Sequence, residues 1–134
     1  WIVETSGGVD RTFLYMLFDA YEEEKLANGE TRTVLKLHKD IAAYKVAVFP
    51  LVSNKEDITN KAREVYLQLK SQMRTMWDDR GNIGKRYRYQ DEIGTPKCVT
   101  IDYQTLEDGT VTVRDRDTME QKRVKVEELG EELK

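Results

Sequence analysis

Apolar and polar positions change rhythm several times along this chain. VDRTFLYMLFDAYEEE (residues 9–24) is apolar on almost every side, with polar residues mainly at its ends. That pattern predicts a helix buried in a larger body. Ile2 and Val3 before it read as the end of a strand, broken by Ser6, Gly7 and Gly8. KLANGET (25–31) is a loop, RTVLKLH (32–38) alternates like a strand, and residues 38–44 form a linker. VAVFPL (46–51) is a near-continuous apolar run, as expected of a strand covered on both faces. Ser53 or Asn54 starts the next helix, with Glu56 and Asp57 in its first turn. Ile58, Ala62, Val65, Tyr66, Leu69 and Met73 fall on one face of it.

RTMWD (74–78) predicts a short strand, and Asn82 caps a helix that Gly94 and Pro96 stop after about Ile93. KCVTIDY (97–103) and TVTVRDRD (110–117) are strands on either side of the turn signal Asp108-Gly109. KRVKV (122–126) is a last strand and EELGEELK (127–134) a frayed helix. The order strand-helix-strand-helix-strand-strand-strand-helix predicts a mixed sheet with helices on its faces, an α/β fold. No internal repeat or low-complexity segment interrupts it.

Composition narrows the functional classes. The 134 residues suit one domain with a fragment of another, and 39% apolar against 35% charged residues suits a polar, foldable chain. No apolar run approaches the roughly 20 residues that span a bilayer, and WIVETSGG has no signal-peptide pattern. That start, β-prone and without methionine, points to a chain cut from something longer. One cysteine, Cys98, permits no internal disulfide. With His38 the one histidine, no Cys/His zinc site can form, so no metal site is expected. These features fit a reducing, cytoplasmic setting. A net charge of −3 argues against a general nucleic-acid glue but leaves room for a local basic patch.

Such a patch exists. Arg80, Lys85, Arg86 and Arg88 stand with Tyr87 and Tyr89 in a stretch with no acid between Arg80 and Gln90. Two readings are open on the residues alone. The patch can be the solvated face of a helix, with Asp91 and Glu92 pairing with Lys85 and Arg88 at helical spacing. Alternatively, cations beside aromatics and glycines supply what loop RNA needs: charge for phosphates and flat rings for splayed bases. Gly81 and Gly84, at about 1 kcal/mol each relative to alanine in a helix, suggest a close backbone approach to packing or to a ligand. Cys98 reads as a small buried hydrophobe, His38 as polar surface, and Met76 and Trp77 as packing beneath the basic helix.

The whole run decides between these readings. IGKRYRYQDEIGTP, CVTIDYQTLED and VTVRDRDTMEQKRV closely resemble the C-terminal anticodon-binding domain of class II aminoacyl-tRNA synthetases, in the homodimeric glycyl branch. KVAVFPLV is similar to that domain's first strand. The resemblance implies a five-stranded mixed sheet flanked by helices over residues 44–134, and an anticodon loop of tRNA(Gly) lying against one side. Carried over, Lys85 and Arg86 would meet phosphate or base, and Thr100, Asp102 and Tyr103 the second and third anticodon bases. Thr100 and Asp102 would share a strand face, with Asp102 accepting from a cytosine amino group; glycine anticodons end in two cytosines. Arg114 and Arg116 are weaker candidates, with pairing to Asp115, Asp117 or Asp102 as their alternative.

ETSGGVDRTFLYMLFDAYEEE resembles motif 3 of the class II catalytic domain, so residues 1–43 would be its C-terminal remnant and linker. By this resemblance Arg11 meets the ATP phosphates, Glu4 pairs with the ammonium of glycine, and Ser6 helps close the pocket. Thr5 stands where many relatives have proline. Motifs 1 and 2 have no counterpart here, so the chain is expected to be inactive alone and monomeric. The parent would be a homodimer using ATP with Mg2+. The alternatives are a non-synthetase paralogue, such as a mitochondrial DNA polymerase accessory subunit, or a threonyl, prolyl or histidyl relative. Arg11, Glu4 and Ser6 together argue against the first, and the glycyl-type motifs against the second.

Overall fold

The computed structural model describes residues 1–133. Its centre is a five-stranded mixed sheet built from β3 (Val46–Pro50), β4 (Thr75–Trp77), β5 (Lys97–Ile101), β6 (Thr110–Asp115) and β7 (Gln121–Lys125). The strand order is β4-β3-β5-β6-β7. β3 runs parallel to both β4 and β5, and β5-β6 and β6-β7 are antiparallel. All five residues of β3 are buried, because the strand is central and covered on both sides. Val46 and Val48 join Val99, Ile101, Val111, Val113 and Val124 on one face, beneath helix α2 (Glu56–Lys70). Ile58, Ala62, Val65 and Leu69 of α2 are fully buried there. Each of the larger ones contributes about 1.5–3 kcal/mol by burial. Ala47, Phe49 and Cys98 face the other way, against Met76 and against Ile83 and Tyr87 of helix α3 (Ile83–Ile93). Trp77 packs on the α2 side instead, edge-on to Tyr66 and under Arg63, so only Met76 lies under the basic helix.

The five-stranded sheet and its flanking helices are as expected. Several boundaries differ. The first helix, α1 (Val9–Ala20), stops four residues early, and Tyr21–Lys25 forms strand β1 against β2 (Thr31–Leu35). Glu22–Glu24 carry no apolar alternation, so only their partners across the strand reveal them. Glu24 pairs with Arg32 at 2.9 Å and Lys36 at 2.7 Å, and Glu22 with Lys36 at 2.7 Å. Ile2 and Val3 lie exposed outside any strand. α2 begins at Glu56, with Lys55 rather than Ser53 or Asn54 at its N-cap. β5 and β6 do pair antiparallel, but a short helix, α4 (Tyr103–Asp108), joins them instead of a tight turn. The last described elements are a 3-10 turn and a short helix, α5 (Leu129–Glu132), anchored by buried Leu129, and Lys134 of the predicted 127–134 helix lies outside the described residues.

The β1-β2 hairpin is fastened to α3 by a buried ionic knot. Asp91 accepts from Arg32 Nε at 2.9 Å and from both terminal nitrogens of Arg114, at 2.8 and 3.0 Å. Arg116 donates to the carbonyls of Leu35, Leu37 and Gly94. Gly94 ends α3 at φ +80, and a Cβ there would sit 2.8 Å from the Leu35 carbonyl oxygen. Two expectations fail here. Asp91 does not pair along the helix with Lys85 or Arg88, because its own side of α3 faces the hairpin and β6. Arg88 pairs with Glu30 of the hairpin loop.

Candidate nucleic-acid interface

The parallel strands β4, β3 and β5 end together at one edge of the sheet, and the predicted RNA-binding residues gather there. In an open α/β sheet, the carboxyl ends of parallel strands are where ligands commonly bind.

After β4 the chain turns through Asp78–Asn82. Gly81 takes φ +64, a left-handed conformation suited to glycine. A Cβ on Gly84 would meet only Asn82 Oδ1, at 3.5 Å, so no tight packing demands a glycine in that first turn of α3. Asn82 then caps α3 by accepting the Lys85 amide at 2.9 Å. In the turn that follows, two neighbouring cations lie in opposite environments. Lys85 is exposed and shares a shallow depression with Arg80 and Tyr89.

Arg86, expected to meet phosphate or base, is only 2% exposed. Its guanidinium donates to the carbonyls of Pro50 (2.5 Å), Gly81 (2.8 Å), Arg80 (3.0 Å) and Asp79 (3.1 Å). Burial pulls its pKa down, opposed by Asp78 and Asp79. Arg86 therefore builds the loop that presents Lys85.

The two tyrosines also separate. Tyr89 is exposed, whereas Tyr87 packs edge-on against Phe49 at 5.7 Å. The Tyr87 hydroxyl shares a 2.6 Å hydrogen bond with Thr100 Oγ1. Burial pushes the Tyr87 pKa up, with the Thr100 bond acting against it. Thr100 is itself 4% exposed, which makes it a link between β5 and α3.

Asp102 lies one residue beyond β5, as the N-cap of α4 and not on the strand face with Thr100. Its Oδ1 accepts from the Thr105 amide and hydroxyl, each at 3.0 Å, while Thr105 Oγ1 accepts the Asp102 amide. Its Oδ2 meets Arg123 NH1 at 2.5 Å. Partial burial works to raise this carboxyl, but the bonds from Arg123 and Thr105 outweigh it and hold the group below the usual carboxylate range. Tyr103, the first residue of α4, is 52% exposed beside it. Arg114 and Arg116 are both buried, in the Asp91 knot and against the hairpin.

Arg123 was not foreseen. It sits on β7 opposite Thr112, with Thr110 on the same face, and reaches the end of β5. The alternation that puts Thr110 and Thr112 on one face of their strand was visible in the sequence, but the β6-β7 register that sets Arg123 beside them was not.

At the N-terminus, Glu4, Ser6 and Arg11 are all exposed. Arg11 is in the first turn of α1, whose N-cap Gly8 offers no side-chain cap. Cys98 is buried, as expected, and burial pushes its thiol pKa far up. Among the described residues, no cluster of His, Cys, Asp or Glu could hold a metal ion, and no helix is long and apolar enough to cross a membrane.

The open α/β sheet thus carries a cation, exposed aromatic rings and an oriented carboxylate at the ends of its parallel strands. The chain belongs to the anticodon binding domain family, whose match covers residues 45–134. Over its full length the chain is 52% identical to a glycine--tRNA ligase of Borreliella burgdorferi and 49% identical to one of Clostridium kluyveri. It spans 30% and 28% of those two proteins. A Clostridium tetani glycine--tRNA ligase is 51% identical over 129 residues, 96% of this chain and 27% of that relative.

Proposed function

We propose that this chain is the C-terminal part of a glycine–tRNA ligase and that it recognises the anticodon loop of tRNA(Gly). Roughly 50% identity to such ligases along the whole chain supports the reading. The observation that carries it is the gathering of Lys85, Asp102 and Tyr103 at the carboxyl ends of β4 and β5. Lys85 serves a phosphate as a point charge. Asp102 accepts from a cytosine amino group, and Tyr103 offers a ring on which a base stacks. Arg86 and Thr100 hold this surface in place from beneath. The paralogue reading is not favoured, since relatives this similar are named as ligases.

In the complete enzyme, residues 1–43 form the end of the catalytic domain and the linker. Glu4 would pair with the ammonium of glycine, Ser6 would close the pocket, and Arg11 would meet the phosphates of ATP with Mg2+. The residues present fit one wall of such a site: an exposed arginine stands in the first turn of a helix without a side-chain cap, where amides favour an anion. Bound ATP supplies the leaving group that activates the amino acid. The parent is a cytoplasmic homodimer, and the fragment alone is inactive. Binding of stem-loop RNA to the full chain tests the reading. The glycine anticodon should bind more tightly than one with its cytosines replaced, by about 1–3 kcal/mol per base contact. Equal binding of both RNAs would overturn it.

A further inference from the structure

Arg123 reaches across the face of β6 to the end of β5. NH1 donates to Asp102 Oδ2 at 2.5 Å and to Thr112 Oγ1 at 3.0 Å. Nε donates to Thr110 Oγ1 and NH2 to the Thr110 carbonyl, each at 3.0 Å. A guanidinium carries five N–H donors. Four are engaged, and NH2 also stands 4.0 Å from Asp108 Oδ1. The group has little left to offer a phosphate.

Asp102 is held from both sides. Oδ1 is filled by the amide and hydroxyl of Thr105. Oδ2 accepts from Arg123 and keeps one lone pair unfilled, since each carboxylate oxygen has two. Rotating the carboxylate would break the helix cap, the ion pair or both. One acceptor position of fixed direction is left, next to the exposed ring of Tyr103.

We propose that Arg123 is a positioning residue for base reading: it aims the unfilled lone pair of Asp102 Oδ2 at the exocyclic amino group of a cytosine, and it does not contact the RNA backbone. The role rests on the anticodon-binding reading above. Cytosine presents a donor at that position, whereas uracil presents a carbonyl and sets acceptor against acceptor.

The test uses the full chain and two anticodon stem-loops, one with the glycine anticodon's cytosines and one with uracil in their place, at two salt concentrations. Arg123→Ala should reduce cytosine-over-uracil discrimination by about tenfold, the scale of one hydrogen bond to a charged group, and leave the salt slope unchanged. Arg123→Lys keeps a cation but not the clamp to both threonines, so it should fall between wild type and Arg123→Ala. It also carries the test if the alanine variant does not fold. Lys85→Ala should lower the salt slope by about 0.7–0.9 and leave discrimination intact. In the RNA-free protein, the titration midpoint of the Asp102 carboxyl carbon by NMR should move up in Arg123→Ala while the Thr105 amide, which donates to Asp102 Oδ1, keeps its hydrogen-exchange protection; a general loss of packing would release both. The proposal is overturned if Arg123→Ala lowers the salt slope as Lys85→Ala does, if that midpoint stays put, or if Asp102→Asn abolishes discrimination while the Arg123 variants keep it. A wild-type chain that does not discriminate at all overturns the anticodon reading and this role with it.

Discussion

Lys85 and Arg86 are adjacent cations with opposite fates, because successive helical residues point about 100° apart. Lys85 projects into solvent, whereas Arg86 turns inward to four carbonyls. Their alanine variants should therefore separate two kinds of loss. Lys85→Ala should change stability by less than about 0.5 kcal/mol while weakening every anticodon stem-loop about equally. Arg86→Ala strands buried acceptors and should cost at least about 3 kcal/mol, given 1.5–3 kcal/mol per bond to a charged group. Denaturant unfolding of the two variants checks this; a thermodynamically silent Arg86→Ala would contradict the buried geometry. Asp115 gives a second prediction. Burial raises this carboxyl, but hydrogen bonds from Lys97, Thr118 and Asp117 outweigh it and hold its pKa at about 2, against an ordinary 3.8. Its contribution to stability is thus present above about pH 4 and lost as pH falls towards 2. Asp115→Asn should flatten the pH dependence of unfolding in that window and leave the region above pH 5 parallel to wild type.

At the scale of elements, the hairpin and α3 act as one unit around Asp91. The carboxylate neutralises two buried guanidinium groups from different parts of the chain, Arg32 and Arg114. Removing one side of a buried ion pair costs about 3–5 kcal/mol, because the other charge stays buried without compensation. Asp91→Ala should reach that range, and hydrogen exchange should show β2 and α3 losing protection together. Gly94→Ala tests the same contact sterically. The added Cβ meets the Leu35 carbonyl at 2.8 Å in a left-handed backbone, which costs a further 1–2 kcal/mol or so. Unchanged β2 protection in both variants would show that the hairpin docks by other means.

At the scale of the molecule, the chain spans about 30% of its ligase relatives, and the helix nearest its N-terminus is largely exposed. Phe13, Leu14 and Phe18 are exposed along α1, whose only buried residue is Ala20. On the proposed reading, the catalytic domain of the parent covers that face. The fragment should show no glycine-dependent pyrophosphate exchange and should sediment as a monomer at micromolar concentration, with non-specific association as the main risk. In the complete enzyme, Arg11→Ala should slow adenylate formation by removing a charge-assisted contact to the ATP phosphates as the adenylyl group passes to the carboxylate and pyrophosphate leaves. Exchange by the fragment, a discrete dimer, or unaltered adenylation would each contradict the assignment of residues 1–43.

Local order was legible wherever one physical signal dominated. The unbroken apolar run of β3 marked a strand covered on both sides, the spacing of Ile58, Ala62, Val65 and Leu69 marked the buried stripe of α2, and Asn82 and Gly94 marked the ends of α3. These are consequences of side-chain period and backbone preference, which neighbouring residues settle among themselves. The gathering of basic and aromatic residues was equally visible, and the motifs around it pointed to the family. The pairing of Arg116 with its neighbour Asp117, offered as one alternative, is present at 2.8 Å, but what most of the other charged residues do was not visible, because a charge takes its role from partners far away in sequence. Arg32 finds Asp91 across 59 positions, Arg116 finds Leu35 across 81, and Arg123 finds Asp102 across 21. Only the packing of the hairpin on α3 buries Asp91, and only the β6-β7 register brings Arg123 to the end of β5. Tertiary structure thus decided which cations face solvent and which hold the protein together.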